Sequence, residues 1–542
     1  MTGFDDGGWN LATAWEAVAA ELGDTPALAH GDLVRGWREF EDRSARLAGA
    51  LAAAGVGRDS KIALYLYNGP TYLEATFAAF KLGAVPVNVN YRYTDSELLY
   101  LLDNADAEVV VASPELADRI DPLRPDLPRL RSVFVDDDTL EAIATGHDRA
   151  PVGERSLDDL WFLYTGGTTG MPKGVMWPHR SLFASAAASF KGCHEPMPGG
   201  PDGCAVAARA IRDRGEAAVL LPAAPLMHGT SALSTWGVLT TGGTIVTLTS
   251  RSLDAEELLD AVETHGVTNL TLVGDAFAKP VVTALEKAEA AAHPRDLSSL
   301  KIIVSSGVMW SQPVKDALLA RADVVLADLV GSSEGIGMAN SVAKRGRPAP
   351  TARFRLGEHA RVVTDDGRDV APGSGEVGML AVGGPIPIGY YKDPEKTAAT
   401  FRRLDGRVWS IPGDHATVDA DGMVNLLGRG SVCINTAGEK VYPEEVEEAL
   451  KTHPEVHDAN VVGLPDERWG QAVTAVVALE HGSSIGVDEL RDHCRTTLAG
   501  YKVPKSIVMV PRVERSPNGK TDYRWAAKVA ADAVAARSPH SG

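Results

Sequence analysis

The sequence predicts an α/β protein built from a large N-terminal domain, a small β-rich subdomain and a small α+β C-terminal domain. Three observations carry this prediction. The chain has 542 residues, more than one ordinary domain holds. Strand-like apolar runs alternate with helical patterns through the first two-thirds, as in parallel-rich sheets flanked by helices. After about residue 350 short strands with turn signals appear, and the final part mixes helices and strands in a compact unit.

The alternation is clearest near the N-terminus. The run KIALYLYN, from Lys61, is strand-like, and the helical pattern that follows opens at Pro70 and closes at Gly83. VPVNVN is the next strand. Thr94 and Glu97 have the spacing of a capping box and open another helix, after which EVVVAS returns to a strand. Repeated strand–helix–strand units predict mainly parallel pairing.

Residues 217–250 contain no acidic or basic side chain and could be mistaken for a membrane span. Pro222, Pro225 and His228 interrupt the stretch, so we interpret it as strand, loop, helix and strand inside a core, and expect no integral membrane segment. The preceding segment, residues 191–215, is rich in Gly, Pro and Ala and is expected to be a surface insertion.

The overall charge narrows the class of function. Lys and Arg number 53 against 72 Asp and Glu, so the formal net charge is −19. A general nucleic-acid binder usually presents a basic face, and this balance argues against one. The four cysteines lack the spacing of a zinc site. We expect a cytoplasmic enzyme whose anionic substrates meet a local cationic pocket.

The loop YTGGTTGMPKG, residues 164–174, combines four glycines, three threonines and one lysine. Glycines allow successive backbone N–H groups to point into one concavity, which binds phosphate oxygens. Thr165, Thr168 and Thr169 add hydroxyl donors, and Lys173 adds a mobile positive charge. The composition therefore predicts a phosphate-binding loop.

The loop does not have the spacing of a Walker A motif. That motif needs a second glycine five residues after the first, followed by Lys and then Ser or Thr. Here those positions hold Met171 or Pro172, and Gly174 follows the lysine.

Residues 165–174 resemble the phosphate loop of the adenylate-forming superfamily, [ST]-[SG]-G-[ST]-[ST]-G-x-P-K-G, at every position. This superfamily contains acyl-CoA synthetases, luciferases and peptide-synthetase adenylation domains. The resemblance implies a catalytic role for Thr165. It also implies contacts to ATP and AMP from seven loop residues: Thr165, Gly166, Gly167, Thr168, Thr169, Gly170 and Lys173.

A second motif of the family, Y-G-x-[ST]-E, is similar to residues 330–334. The resemblance implies that Glu334 is catalytic and holds Mg²⁺. The aromatic residue that packs on adenine in the family is Val330 here, which is also expected to line the acyl pocket. The remaining nucleotide contacts implied in this region are Gly331, Ser332, Ser333, Ser306 and Gly307, and Val308 is implied to line the acyl pocket.

Two further motifs are similar to those that bind ribose. Pro412-Gly413-Asp414 stands where the family has T-G-D, so Asp414 is implied to accept hydrogen bonds from the ribose hydroxyls. Gly428-Arg429 matches the start of G-R-x-x-D and makes Arg429 a ribose-contacting candidate. In the same motif Ser431 stands at the hinge, where relatives commonly have Asp or Lys.

The C-terminal part carries the last two resemblances. Gly438 matches the loop that guides the CoA thiol arm, and Lys520 matches the adenylation lysine of P-x-G-K. The family rotates its C-terminal domain between two half-reactions. We therefore expect a domain of residues 1–428 and a mobile domain of residues 429–542, hinged near Ser431.

The acyl pocket is expected near PLMHGTSALSTWGVL. This segment resembles the one where relatives place a gate, which makes His228 the gate and Leu233 and Trp236 wall residues. Packing of Trp236 in an apolar core is the alternative, because tryptophan is usually highly buried.

These resemblances cover nearly the whole chain and are closest to actinobacterial fatty-acyl and steroid side-chain acyl-CoA synthetases. They imply an AMP-forming acid–thiol ligase that turns an apolar carboxylic acid into acyl-AMP with release of pyrophosphate, and then into acyl-CoA. Both acid and ATP are anions, so the site must neutralise charge and fix an in-line geometry. The implied partners are ATP with Mg²⁺, CoA and the acid, and the resemblance leaves open a homodimer.

The sequence leaves four alternatives open. The acyl group could pass from AMP to a carrier protein, or the reaction could stop at acyl-AMP. Residues 331–335 also satisfy G-x-S-x-G, the hydrolase nucleophile elbow with Ser333 as nucleophile, although no HGGG oxyanion loop is present. The last alternative is a non-catalytic adenylate sensor, although such a protein would not need both Glu334 and Lys520.

Overall fold

The structure is a computed structural model that describes residues 7–166, 171–307, 310–347, 353–429, 433–436, 439–466, 469–515 and 521–537. Its helices are α1 Leu11–Leu22, α2 Trp37–Ala53, α3 Pro70–Lys81, α4 Asp95–Asn104, α5 Pro114–Ala117, α6 Asp138–Gly146, α7 His179–Ser185, α8 Ala187–Gly192, α9 Pro201–Asp213, α10 Gly229–Thr240, α11 Ala255–His265, α12 Gly274–Ala290, α13 Gln312–Arg321, α14 Pro394–Thr400, α15 Pro443–Lys451, α16 Val487–Arg495 and α17 Tyr523–Arg537.

The strands follow in the same order. They are β1 Pro26–His30, β2 Leu33–Gly36, β3 Lys61–Tyr65, β4 Val85–Asn88, β5 Ala107–Ala112, β6 Ser132–Val135, β7 Leu160–Thr165, β8 Lys173–Pro178, β9 Val219–Pro222, β10 Thr244–Thr247, β11 Asn269–Leu272, β12 Ile302–Ser306, β13 Val325–Ser332, β14 Gly335–Ala343, β15 Arg353–Leu356, β16 Ala360–Val363, β17 Gly378–Val382, β18 Gly389–Tyr390, β19 Phe401–Leu404, β20 Arg407–Ser410, β21 Asp414–Val418, β22 Met423–Arg429, β23 Ile434–Thr436, β24 Glu439–Val441, β25 Val456–Asp466, β26 Gly470–Leu479 and β27 Ser506–Val510.

Local sequence signals set these bounds in the N-terminal part. Pro70 occupies the first turn of α3, and Gly83 follows the helix with a φ of +64°, a conformation that glycine adopts without strain. At α4, the Thr94 side chain accepts from the backbone of Glu97, whose side chain returns to the Thr94 backbone, so the predicted capping box is confirmed.

The largest sheet has a parallel half and an antiparallel half. From β1 the parallel path runs through β10, β9, β11 and β12 to β13. There β14 turns back antiparallel and leads on through β15 and β22 to β21, β17, β20 and β19. The expected β-rich subdomain therefore continues the same hydrogen-bonded sheet and is not a separate layer.

The second sheet has the order β18-β8-β7-β4-β3-β5-β6. Its pairs from β7 to β6 are parallel, and β8 and β18 add two antiparallel strands at one edge. This confirms the α/β class with parallel-rich sheets. The predicted phosphate loop joins β7 to β8 at this antiparallel edge.

Aromatic side chains form the core around the helices of the N-terminal domain. Trp236 of α10 has ring centroids 5.7 Å from Trp15, 6.1 Å from Trp161 and 6.3 Å from Phe80. All four side chains are buried. Aromatic pairs at this spacing each contribute about 0.5–1.5 kcal/mol beyond the area they bury.

The expectation of a surface insertion at residues 191–215 is wrong. Most of this segment is helical, and α9 buries Cys204, Ala208 and Ile211 on the face that packs against α1. Small apolar residues at helical spacing therefore build part of the core here. Residues 217–250 form β9, α10 and β10 as expected, and no helix of the described residues is long and apolar enough to cross a membrane.

The C-terminal domain has its own sheet, in the order β24-β23-β26-β25, with β27 parallel to β26. It contacts the larger domain at several points. The rings of His415 and Tyr442 lie 5.5 Å apart, and Lys279 Nζ donates to the carbonyl of His457 at 2.6 Å. A cavity of about 810 Å³ lies beside the His415–Tyr442 contact, between the β-rich part and the C-terminal domain.

Candidate active site

The strands around the phosphate loop are held in a close antiparallel pair. Thr165, at the end of β7, lies opposite Lys173, at the start of β8, and Tyr164 lies opposite Gly174. A Cβ on Gly174 would stand 2.6 Å from the Tyr164 ring, so only glycine fits. Gly166 is exposed at the mouth of the loop, and the predicted contacts Gly167, Thr168, Thr169 and Gly170 lie outside the described residues.

Asn88 joins the loop strand to the expected acyl segment. Its side-chain amide donates to the carbonyl oxygens of Tyr164 at 3.0 Å and Met227 at 2.5 Å, and its oxygen accepts from the Tyr164 N–H. The Tyr164 hydroxyl donates in turn to Asn104 Oδ1 at 2.7 Å. Tyr164, in the strand before the loop, and Met227, the residue before His228, are thereby fixed to one buried amide.

Lys173 pairs with an acid that the sequence analysis did not single out. Its Nζ lies 3.0 Å from Asp393 Oδ2 and 5.7 Å from the centroid of the Tyr390 ring. The backbone N–H of Lys396 and, to a smaller extent, the Lys173 ammonium lower the pKa of the Asp393 carboxyl. Both side chains are about one-third exposed, so the pair contributes little to stability.

Glu334 lies in the tight turn between β13 and β14. Its backbone N–H donates to Ser332 Oγ at 3.1 Å, and the carbonyl of Ser333 accepts from Trp177 Nε1 at 3.0 Å. Because Trp177 belongs to β8, this bond ties the turn of the first sheet to the phosphate-loop strand of the second.

The side chain of Glu334 is held by Tyr390. The tyrosine hydroxyl donates to Glu334 Oε1 at 2.7 Å, and Glu334 is only 8% exposed. Among the described residues, none donates to the second oxygen, Oε2. A carboxylate with one oxygen fixed and one available suits Mg²⁺, which binds one or two carboxylates together with substrate phosphates. The residues present therefore fit the metal that the resemblance implies.

The remaining nucleotide candidates lie on the neighbouring strands. Ser306 ends β12, which pairs in parallel with β13, and Gly307 follows with a φ of +94°. Val330 lies within β13 and packs against the smaller apolar core beside β17. Gly331 lies against the returning strand, where a Cβ would approach the Gly335 carbonyl to 3.3 Å. These residues meet where parallel strands end, the usual place for ligands in such sheets.

The backbones of Asp414 and Arg429 are in register on paired strands. Asp414 begins β21 and is in register with Arg429, the last residue of β22, and β22 spans the predicted domain boundary. The Arg429 side chain, Ser431, Gly438 and Lys520 lie outside the described part of the structure, as does Val308. Their assigned roles remain predictions.

The three acyl-pocket candidates lie at the start of α10 and within it. His228 is the residue before the helix, and Leu233 packs against the main aromatic core from a half-buried position. Trp236 is 1% exposed among Trp15, Trp161 and Phe80. Its ring thus belongs to the aromatic core, and its role as a wall of the acyl pocket remains a prediction.

The hydrolase alternative does not fit the geometry around Ser333. A nucleophile elbow needs a strand, a sharp turn and then a helix. Here β13 is followed by β14 in an antiparallel hairpin, with Ser332 opposite Gly335. Ser333 therefore lies in a hairpin turn, without the helix that an elbow presents to its nucleophile.

Sequence reasoning missed Tyr390, Asp393, Asn88 and Trp177. The first two lie in the run GYYKDPEKT, whose glycine, proline and charges mark a turn before a helix and could have drawn attention. Asn88 and Trp177 are isolated polar or aromatic residues in apolar strands. Nothing in the sequence indicates that their side chains bridge segments far apart in the chain.

Comparison with known proteins agrees with this geometry. A family profile described as AMP-binding enzyme matches residues 15–391, and one described as the AMP-binding enzyme C-terminal domain matches residues 445–520. The chain belongs to the AMP-binding enzyme family. Both halves of the family's architecture are thus present, and the residues between the two matches include Asp414 and Arg429.

Relatives of this AMP-binding enzyme carry ligase names. A medium/long-chain-fatty-acid–CoA and 3-oxocholest-4-en-26-oate–CoA ligase from Mycobacterium tuberculosis is 40% identical, and the match covers 98% of each chain. A 3-oxocholest-4-en-26-oate–CoA ligase from Rhodococcus rhodochrous is 39% identical over 95% of each chain. The crystal structure of the anthranilate CoA ligase AuaEII with anthranoyl-AMP has a TM-score of 0.82 at 22% identity, covering 97% of this chain and 98% of that one, and confirms the fold.

Proposed function

We propose that this enzyme, an AMP-forming acid–thiol ligase, activates a medium- or long-chain fatty acid or a steroid side-chain acid as acyl-AMP and transfers the acyl group to CoA. The observation that carries the proposal is the junction of the phosphate-loop strand β8 with the Glu334 turn, made by Trp177 and Tyr390. The relatives named for such acids, 40% identical over 98% of the chain, support the substrate class.

The first half-reaction joins two anions. The acid's carboxylate attacks the α-phosphate of ATP, the bond to the bridging oxygen breaks, and pyrophosphate leaves. Backbone N–H groups of the phosphate loop bind the phosphate oxygens, Lys173 exchanges Asp393 for a phosphate, and Lys520 stabilises the charge of the transition state. Glu334 would hold Mg²⁺, which would neutralise phosphate charge. These groups fix an in-line geometry, and no protein nucleophile is needed.

The second half-reaction needs a different set of groups. The CoA thiol attacks the acyl carbonyl and expels AMP, so Lys520 is no longer required. The domain of residues 429–542 rotates about Ser431 and brings Gly438 to the tunnel of the thiol arm. The cavity of about 810 Å³ beside His415 and Tyr442 is consistent with this motion, because it leaves part of the domain interface unpacked, so that fewer contacts need to break when the domain rotates.

A basic cavity beside the acyl segment is a candidate dock for the CoA phosphates. Arg92 lies over the Tyr91 ring at 5.6 Å and Arg251 over the Tyr67 ring at 5.0 Å, and both line a small cavity of about 60 Å³. Arg251 also forms an ion pair with Glu115, so the charge offered to a phosphate comes mainly from Arg92. Asn68, in the same cavity, donates to the carbonyls of Pro222 and Ala224, a few residues before His228. Arginines stacked on aromatic rings suit phosphates and an adenine.

Two further expectations belong to this proposal. The enzyme works in the cytoplasm, because both of its cosubstrates, ATP and CoA, are cytoplasmic metabolites. A homodimer is the second expectation, and the molar mass measured by light scattering tests it. Transfer to a carrier protein is the alternative acceptor reaction, and the CoA-ligase names of the relatives favour CoA.

A panel of acids tests the proposal. Purified protein is incubated with ATP, Mg²⁺ and fatty acids of graded length or a steroid side-chain acid, with and without CoA, and products are identified by mass spectrometry. We expect acyl-AMP without CoA and acyl-CoA with it. Acyl-AMP that persists unchanged when CoA is added, and disappears with an acyl carrier protein, would establish the alternative. No acyl-AMP from any acid would contradict both.

A further inference from the structure

Tyr390 reaches from the edge of the second sheet to the Glu334 carboxylate, in the turn between β13 and β14 of the first sheet. Its hydroxyl donates to Glu334 Oε1 at 2.7 Å, and its ring is 5% exposed. The ring packs edge-on against Phe401 with centroids 5.9 Å apart. A buried hydroxyl that donates to a candidate metal-binding carboxylate restricts the orientation of that carboxylate.

The backbone of Tyr390 is fixed to the strand that leaves the phosphate loop. In β18, Gly389 pairs with Met176 and Tyr390 pairs with Val175, both in β8. The Tyr390 N–H donates to Thr397 Oγ1 at 2.9 Å, which secures the strand to α14. The position of the hydroxyl is therefore set by the same strand that carries Lys173.

We propose that Tyr390 is a positioning residue for the Mg·ATP site, which fixes the orientation of the Glu334 carboxylate relative to the phosphate loop. This inference rests on the proposed function, because it assigns Glu334 to Mg²⁺. In this role Tyr390 acts through Glu334, whose Oε1 accepts the hydrogen bond from its hydroxyl. Asp393, three residues further along, holds the loop lysine, so the segment GYYKD sets both the carboxylate and the cation of the site.

The physical reason is pre-organisation. A glutamate carboxylate can rotate about its last bond, and a hydrogen bond to one oxygen selects the orientation in which the other oxygen faces the ligand. Residues that orient a metal-binding carboxylate in this way typically contribute 10- to 100-fold to metal affinity, about as much as one charge-assisted hydrogen bond. The effect of losing the hydroxyl should therefore appear in the metal-dependent part of ATP binding.

Tyr390→Phe tests this, and Tyr391→Phe is its matched control. Both substitutions remove one buried or half-buried phenol hydroxyl from neighbouring residues, but the Tyr391 hydroxyl donates to Asp106 at 2.7 Å, away from Glu334. The Kd of ATP is measured by calorimetry on the full chain, once with Mg²⁺ and once with EDTA. We expect Tyr390→Phe to raise the Kd with Mg²⁺ about tenfold and the metal-free Kd less than about twofold. Tyr391→Phe should change neither.

A double-mutant cycle with Glu334→Gln separates positioning from a general loss of structure. If Tyr390 acts through Glu334, its loss should have little further effect on Mg·ATP affinity in the Glu334→Gln background, and the two variants should be non-additive. Equal weakening with and without Mg²⁺, additive effects, or a Tyr390→Phe variant that binds like Tyr391→Phe would overturn the inference. Wild-type protein that makes no acyl-AMP would instead overturn the proposed function.

Discussion

Replacement of Gly174 by alanine tests the frame of the phosphate loop most sharply. A Cβ at this position would lie 2.6 Å from Tyr164 Cε2 and 2.8 Å from Cζ, whereas ordinary contacts begin at 3.4 Å. The ring would have to retreat by about 0.8 Å. Tyr164 has little freedom to do so, because it is 3% exposed, its hydroxyl is bonded to Asn104 and its backbone is bonded to Asn88.

The cost follows from two terms. Overpacking a close contact costs about 1–3 kcal/mol, and loss of the Tyr164–Asn104 hydrogen bond adds about 1 kcal/mol. We therefore expect Gly174→Ala to lower the free energy of unfolding by about 2–4 kcal/mol. Because Gly174 follows Lys173 directly, the pyrophosphate-exchange rate should also fall.

Urea denaturation measures the change in the free energy of unfolding. Acid-dependent ATP–pyrophosphate exchange measures the change in the exchange rate. Gly146→Ala is the control, because Gly146 ends α6 and a Cβ there meets nothing within 4 Å. In a Tyr164→Ala background the penalty of Gly174→Ala should shrink to less than about 1 kcal/mol, since the clashing ring is gone. A Gly174→Ala variant as stable as Gly146→Ala, or an undiminished penalty without the ring, would refute this reasoning.

Three other predictions concern CoA binding, the adenylation step and the pH dependence of stability. Arg92→Ala should raise the KM for CoA about tenfold while leaving ATP–pyrophosphate exchange unchanged, and equal loss in both assays would reject the CoA dock. Lys520→Ala should abolish pyrophosphate release yet spare thioester formation from added acyl-AMP, followed by mass spectrometry. Burial lowers the pKa of His179 to about 3. Below pH 6.5 His179 is therefore protonated in the unfolded chain but stays neutral in the native state. This difference lowers the free energy of unfolding by about 2 kcal/mol at pH 5. His179→Asn, which keeps an acceptor for the Leu11 N–H, should flatten this decline in a series of melting temperatures against pH.

The parts of the site that are contiguous in sequence could be predicted from it. The composition of residues 164–174 indicates phosphate binding without any structure, because glycine freedom and hydroxyl donors act locally. Glu334 could be predicted because it belongs to a motif of five consecutive residues, 330–334. The alternation of strand and helix likewise predicts the α/β class, since each element buries a face at its own period.

The parts of the site that depend on contacts between distant residues could not be predicted from the sequence. The bond between Tyr390 and Glu334 joins residues 56 positions apart, and the pair of Lys173 and Asp393 joins residues 220 apart. The expectation of a surface insertion at residues 191–215 was wrong because it overlooked the packing partner. Alanines in a Gly- and Pro-rich segment are buried only where another element, here α1, covers them. For Trp236, sequence alone could not separate a pocket wall from core packing, because both bury the ring.

The central claim is that the phosphate loop and Glu334 together bind Mg·ATP so that an apolar acid can attack its α-phosphate. Acid-dependent exchange of labelled pyrophosphate into ATP, compared between wild-type protein and Glu334→Gln, tests it most directly. We predict exchange in the wild type only when the acid is present, and a loss of at least about a hundredfold in the variant, with thioester formation from added acyl-AMP retained. Exchange that does not depend on the acid, or that survives the loss of the Glu334 charge, would contradict the claim.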